Sequence, residues 1–215
     1  MKSCVVEKQF VWEGPLSRRA VQVCRMFGLT VDRLNGRAPV HACRVRIRPG
    51  DIVYITGPSG AGKSVLLREM GRCLPGDDVV DLASVDLPTD RTVVDCFEGS
   101  LVTCLRTLSA VGLSDVFSML NRPCHLSDGQ KYRFRLARAI AMGRPVVLAD
   151  EFCTGLDRIT AATVAYNLHR LADRHGTTLL LASSRDDILF DLAPDVLITK
   201  DFSGPATVTY RDPDR

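Results

Sequence analysis

Residues 57–64 read Gly-Pro-Ser-Gly-Ala-Gly-Lys-Ser, and no other stretch constrains the fold as tightly. Its glycines let the backbone curl until successive N–H groups point inward, which makes a concave anion trap. Ile52-Val53-Tyr54-Ile55 in front of it is a short apolar run, the mark of a buried strand. From Lys63 to about Cys73 the pattern is helical, stopped by Pro75-Gly76. Strand, glycine loop and helix together are the context in which G-x-x-x-x-G-K-[ST] holds phosphate, because the helix aims its positive end at the anion the loop wraps. Lys63 is placed to reach β- and γ-phosphates, and the Ser64 hydroxyl to ligate Mg²⁺. The loop contacts are Gly57, Pro58, Ser59, Gly60, Ala61 and Gly62, with Val65 one turn into the helix.

A second apolar run, Val146-Val147-Leu148-Ala149, ends at Asp150-Glu151. A carboxylate at the C-terminal end of a central strand faces bound phosphates. Asp150 then holds Mg²⁺ and Glu151 polarises the attacking water as general base. Leu126-Ser127-Asp128-Gly129-Gln130 opens a basic helix that runs to about Met142. Its N–H groups and the Ser127 hydroxyl form a second anion-facing end; an ordinary N-cap by Ser127 or Asp128 is the plainer reading.

Ile159 to His175 is an amphipathic helix stopped by Gly176, and Thr178 to Ala182 a third buried strand. Strands are also expected at 195–199, 206–210, 40–48 and 20–27, with short ones at 79–82 and 84–87. Residues 91–108 read as helical. Apolar strands alternating with helices give an α/β fold, a mainly parallel sheet covered on both faces.

The 215 residues suit one domain. Lys plus Arg exceeds Asp plus Glu by only 28 to 25, which does not indicate nucleic acid as a partner. Arg44, Arg46 and Arg48 alternate, as on a solvated sheet face. No apolar run reaches membrane-spanning length, and Met1 to Phe10 has no signal-peptide core. The eight cysteines form no C-x-x-C pair, consistent with a reduced, cytoplasmic protein. Trp12, the single tryptophan, is expected to anchor N-terminal packing.

With the loop, the 126–130 segment, the strand ending in Asp150-Glu151 and Thr154-Gly155-Leu156-Asp157, the chain resembles the ATP-binding cassette (ABC) ATPases over roughly residues 20–200. The resemblance implies a P-loop NTPase of ABC type in a single domain, 1–215. An N-terminal antiparallel β part would accompany the main sheet, and a reduced helical subdomain would be inserted at about 91–142. It implies hydrolysis of ATP to ADP and phosphate with Mg²⁺, Glu151, Lys63 and Asp157 being catalytic. It also implies a head-to-tail homodimer or ABC heterodimer, in which Ser127, Gly129 and Gln130 meet the ATP held by the partner. Phe27 falls where the family often stacks an aromatic on adenine; a core role is the other reading.

Four departures stand out. Ser184 occupies the position of the family's switch histidine, and a hydroxyl takes no proton near neutral pH, so slow turnover is expected. No glutamine lies near 84–86, where the family's sensor glutamine belongs; Asp86 is the nearest substitute. Only 64 residues separate Lys63 from Ser127, short for a transporter cassette. Asp128 replaces a glycine of the signature, and a carboxylate beside a triphosphate is unfavourable unless it points away or caps the helix, the cap being the expectation here. These departures favour a soluble protein partner over a membrane permease. The run 126–139 is similar to ABC-type ATPases fused to GNAT acetyltransferase domains. The alternatives are the nucleotide-binding subunit of a membrane transporter and a DNA-repair-type ABC ATPase.

Overall fold

The computed structural model describes residues 2–9, 14–30, 32–33 and 40–212. Six strands make the main sheet: β3 (Ile52–Thr56), β4 (Val79–Asp81), β5 (Val146–Ala149), β6 (Thr178–Ala182), β7 (Val196–Thr199) and β8 (Thr207–Tyr210). Their order is β4-β5-β6-β3-β7-β8, all parallel except β8, which pairs antiparallel with β7. Strands β3, β5 and β6 are buried at every residue, which is why they read as unbroken apolar runs. Their alternate side chains feed two cores. Tyr54, Val147 and Leu181 pack on one face with Phe134, Leu136 and Leu168. Ile55, Leu148 and Leu180 pack on the other with Leu66 and Met70.

The second core is closed by a separate two-stranded antiparallel sheet, β1 (Lys2–Gln9) with β2 (Val40–Ile47). Cys4 and Val6 of β1 and Cys43, Val45 and Ile47 of β2 point into it. Within 2–9 a strand goes unread in the sequence because, among its described side chains, Cys4 and Val6 alone are buried. The helix that follows, α1 (Arg18–Met26), replaces the strand predicted at 20–27. It buries none of its residues, so its apolar spacing carries no fold information. Its punctuation does: Ser17 caps it, accepting from Ala20 N at 3.2 Å, and Gly28 leaves it at φ 62°. Trp12 lies outside the described residues.

The remaining helices are α2 (Lys63–Arg72), α3 (Leu101–Ala110), α4 (Val116–Leu120), α5 (Asp128–Ala141), α6 (Arg158–His175) and α7 (Leu189–Leu192). The helix expected over 91–108 is a 3-10 turn at Val94–Cys96 and then α3, which starts at its own cap, Ser100. The strand expected at 84–87 does not form; Leu82–Ser84 is a 3-10 turn, closed by Asp81 accepting from Ala83 N.

The basic residues of α5 are anchored rather than solvated. Arg133 donates to the carbonyls of Gly129 and Gly112, Arg135 to that of Val85, and Arg138 to that of Cys96. Arg138 also lies over the Phe97 ring, which packs edge-on against Phe134.

Candidate functional site

Strand β3 delivers the chain to Gly57 and α2 receives it at Lys63. The turn between them tolerates only glycine at two positions. A Cβ on Gly57, at φ 139°, would lie 2.0 Å from the carbonyl oxygen of Lys200. One on Gly62, at φ 95°, would lie 2.1 Å from the imidazole of His41. The helix end is also set apart. Among the described helices of eight or more residues, α1, α3, α5 and α6 are capped by Ser17, Ser100, Ser127 and Asp157. Helix α2 has no side-chain cap and no acidic residue in its first turn, so its N-terminal dipole faces outward uncompensated.

Lys63 is 8% exposed. Its Nζ donates to the carbonyls of Gly57 (2.8 Å) and Pro58 (2.9 Å) and to the Ser184 hydroxyl (3.0 Å). Burial lowers its pKa, and the carboxylates of Asp150, Asp186 and Glu151 act against that. A cavity of about 270 Å³ gathers Ser59, Gly60, Gly62, Lys63, Ser64, Asp150 and Glu151 with Thr154, Ser183 and Ser184. The hydroxyl of Ser64 and the carboxylate of Asp150, both lining this cavity, are oxygen donors, the donor type that suits Mg²⁺. The glycine-rich loop beside them is the cradle that suits phosphate. Ala61 is buried in the loop, and Val65 is half-buried on α2.

The segment after β5 is under backbone tension. Glu151 and Cys153 have φ of 50° and 58°, in the left-handed region. Phe152 N donates to Ala182 O, which extends the sheet ladder past β5. Arg185, next to Ser184, holds the far side of the segment: its Nη1 donates to the carbonyls of Cys153 (3.0 Å) and Leu156. Nothing in local sequence periodicity marks Arg185 as a clamp on this segment, because the atoms it holds there are main-chain carbonyls 29 and 32 residues away. Burial pushes the Cys153 thiol up to about 12, so it stays protonated. Asp186, also unread in the sequence, accepts from the Thr56 hydroxyl at 2.6 Å.

The 126–130 segment begins α5 through a complete capping box. Ser127 Oγ accepts from Gln130 N at 3.3 Å, and Gln130 Oε1 accepts from Ser127 N at 2.9 Å. Gln130 Nε2 also donates to the Ser118 hydroxyl. Ser127 is therefore the cap, and Asp128, expected to cap, is the first helical residue. Its carboxylate points to solvent, 3.8 Å from Lys131. Gly129 packs against Gly155 and Leu156, and this edge opens a second cavity of about 410 Å³ that shares Asp150, Glu151 and Thr154 with the first. Asp157 caps α6, accepting from Thr160 N at 2.9 Å, and that bond lowers its pKa.

Phe27 ends α1 at 72% exposure and lines neither cavity. Ser84 and Asp86 are exposed and line neither. No described helix is long and apolar enough to cross a membrane.

Residues 46–188 match the family described as an AAA domain. The chain is 31% identical to the lipoprotein-releasing system ATP-binding protein LolD of Novosphingobium aromaticivorans, an alignment covering 74% of this chain and 84% of that one. It is 33% identical to the methionine import ATP-binding protein MetN of Xanthomonas oryzae pv. oryzae, over 73% of this chain but only 57% of the importer's length. In three dimensions it resembles a dimeric bacterial ABC transporter cassette, with a TM-score of 0.68 at 18% identity over 98% of this chain and 99% of that one.

Proposed function

The chain belongs to the ABC ATPases, which bind ATP with Mg²⁺ and hydrolyse it, and on that premise we propose that it is the nucleotide-binding subunit of a membrane transporter, working as a head-to-tail pair. The observation that carries this reading is the likeness to LolD over 84% of that protein's length. The relatives are ATP-binding proteins of release and import systems, which favours a permease over the soluble partner suggested by the sequence departures. Exposed apolar side chains on α3 (Leu101, Val102) and α4 (Val116, Phe117, Leu120) offer such a partner something to cover.

In this reading Lys63 leaves the carbonyls of Gly57 and Pro58 for the β- and γ-phosphates, while the loop N–H groups and the open end of α2 take the remaining phosphate oxygens. Ser64 and Asp150 would hold Mg²⁺, which when bound would screen the phosphate charge. Glu151 accepts a proton from the attacking water. Ser184 can orient that water or a phosphate oxygen by hydrogen bonding but cannot store a proton. The first turn of α5, with Ser127, Gly129 and Gln130, faces the partner's γ-phosphate, and Asp157 steadies the loop between the two copies.

Glu151→Gln tests both parts. In ATP it should bind nucleotide, hydrolyse it about 10²–10⁴-fold more slowly and accumulate as a dimer. Purified from detergent extracts in ATP, it should carry an integral membrane protein with it. A wild-type hydrolysis rate would remove Glu151 as the base. A soluble protein recovered in place of a membrane one would return the reading to a soluble partner.

A further inference from the structure

Tyr132 stands on α5 one turn beyond Gly129. Its ring packs on the larger core and lines the cavity of about 410 Å³ together with Gly129, Asp150 and Glu151. Its hydroxyl is shut off from water and makes no hydrogen bond. Burial drives the pKa of that hydroxyl well above the ordinary tyrosine value, and the Cys153 N–H close by pulls it back. That N–H is not aligned for a bond to it, and among the described residues no other acceptor takes it. Tyr54, also near, has its own hydroxyl committed to Arg185 O at 2.5 Å. A buried donor and a buried acceptor thus face each other unjoined, and each lowers stability in that state.

Both groups sit on parts that are otherwise fastened. The first turn of α5 is closed by its capping box and tied by Arg133 to the Gly112 carbonyl. The segment after β5 is held by Phe152 N on Ala182 O and by Arg185 on Cys153 O. Between those holds Glu151 and Cys153 stay in left-handed backbone. Unpaired polar groups beside a strained main chain mark an arrangement that a small shift would improve. We propose that Tyr132 is a positioning residue for Glu151: when the nucleotide-bound pair closes, its hydroxyl accepts from the Cys153 N–H and fixes the segment carrying the base to the helix whose first turn meets the partner's γ-phosphate. The proposal rests on the paired ATPase argued above and supplies the joint between its two halves.

Tyr132→Phe removes the hydroxyl and keeps the ring. In the nucleotide-free chain it should raise the melting temperature by about 2–4 °C, because a buried unpaired group is gone. Steady-state kcat should nonetheless fall about two- to tenfold, the rate equivalent of one hydrogen bond, with ATP affinity by calorimetry unchanged. In a Glu151→Gln background with Mg²⁺ and ATP, the same substitution should lower the melting temperature, since the bond is then made. A hydroxyl with a merely structural role would move stability the same way in both states. A wild-type kcat in Tyr132→Phe would overturn the proposal, as would a loss of ATP affinity that matches the loss of kcat. So would a nucleotide-free melt at or below that of wild type, or a gain in melting temperature that persists in ATP. A wild-type chain that binds no ATP would remove the nucleotide site, and the proposal with it.

Discussion

Arg185→Ala takes away one guanidinium that holds the segment carrying Glu151. Its Nη1 donates to Cys153 O at 3.0 Å and to Leu156 O, while Nε and Nη2 grip the Asp187 carboxylate at 2.9 and 2.7 Å. A hydrogen bond with a charged partner contributes about 1.5–3 kcal/mol. The Asp187 pair is partly exposed, so water replaces much of it. The two carbonyl bonds are lost together, and with water recovering about half, roughly 2 kcal/mol falls on residues 151–156. Those residues already hold Glu151 and Cys153 in left-handed backbone, which costs about 1–2 kcal/mol each. The segment should therefore relax before the fold does. The loop around Lys63 makes no bond to Arg185, so ATP affinity by calorimetry should stay near wild type. Steady-state kcat should fall about 10–100-fold, because a displacement near 1 Å of a reacting group has that effect. Arg185→Lys, which keeps the charge but not the fork, should lie between. Normal kcat in Arg185→Ala, or a loss of ATP affinity as large as the loss of kcat, would refute the reasoning.

Lys63→Ala should abolish measurable ATP binding in calorimetry, since the main cation facing the phosphates is gone; unchanged affinity would contradict the phosphate-loop assignment. Ser184→His should raise turnover about tenfold, a change equal to about 1.4 kcal/mol of added transition-state stabilisation. The Lys63–Ser184 bond places side chain 184 in the cavity, so no change with ATP binding intact would show that the imidazole is not the missing element. His41, buried against Gly62, has its pKa held below 6.5, first by desolvation and then by the Lys200 cation. The unfolded chain therefore binds the proton first, and stability is lost as pH falls through 6.5 toward the folded value. Thermal melts across that window should show a slope that flattens in His41→Phe; an equal slope in both would assign the effect to other groups.

What the sequence displays clearly is whatever two-sided burial or main-chain geometry imposes. Strands β3, β5 and β6 are apolar apart from the terminal Thr56 and Thr178 because helices or strands cover both their faces. The 57–62 turn shows itself because Gly57 and Gly62 have no room for a side chain. Helix α1 is hidden because nothing on it is buried, so its chance two-residue alternation outweighs the Ser17 and Gly28 punctuation. Over 91–100 the predicted helix gives way because Asp95 accepts from Thr92, a local bond that competes with a continuous helix. Arg185 and Lys200 could not be read at all. Both work on carbonyl oxygens, and carbonyls leave no residue code.

That last point bears on the arginines of α5. Arg133, Arg135 and Arg138 reach Gly112, Val85 and Cys96 only through peptide oxygens, which every amino acid supplies. At Val85 and Cys96 the fastening is therefore blind to side-chain identity, whereas the Phe97 ring under Arg138 adds a contact that is not. Exposed residues along 85–112 can be exchanged while the same three clasps persist so long as the path of the main chain is kept, which at Gly112, with φ 74°, favours glycine. Helix α5 thus behaves as a standard fitting behind an interchangeable faceplate: the outward residues are free to drift toward a new docking partner while the first turn of α5 stays where the nucleotide chemistry requires it.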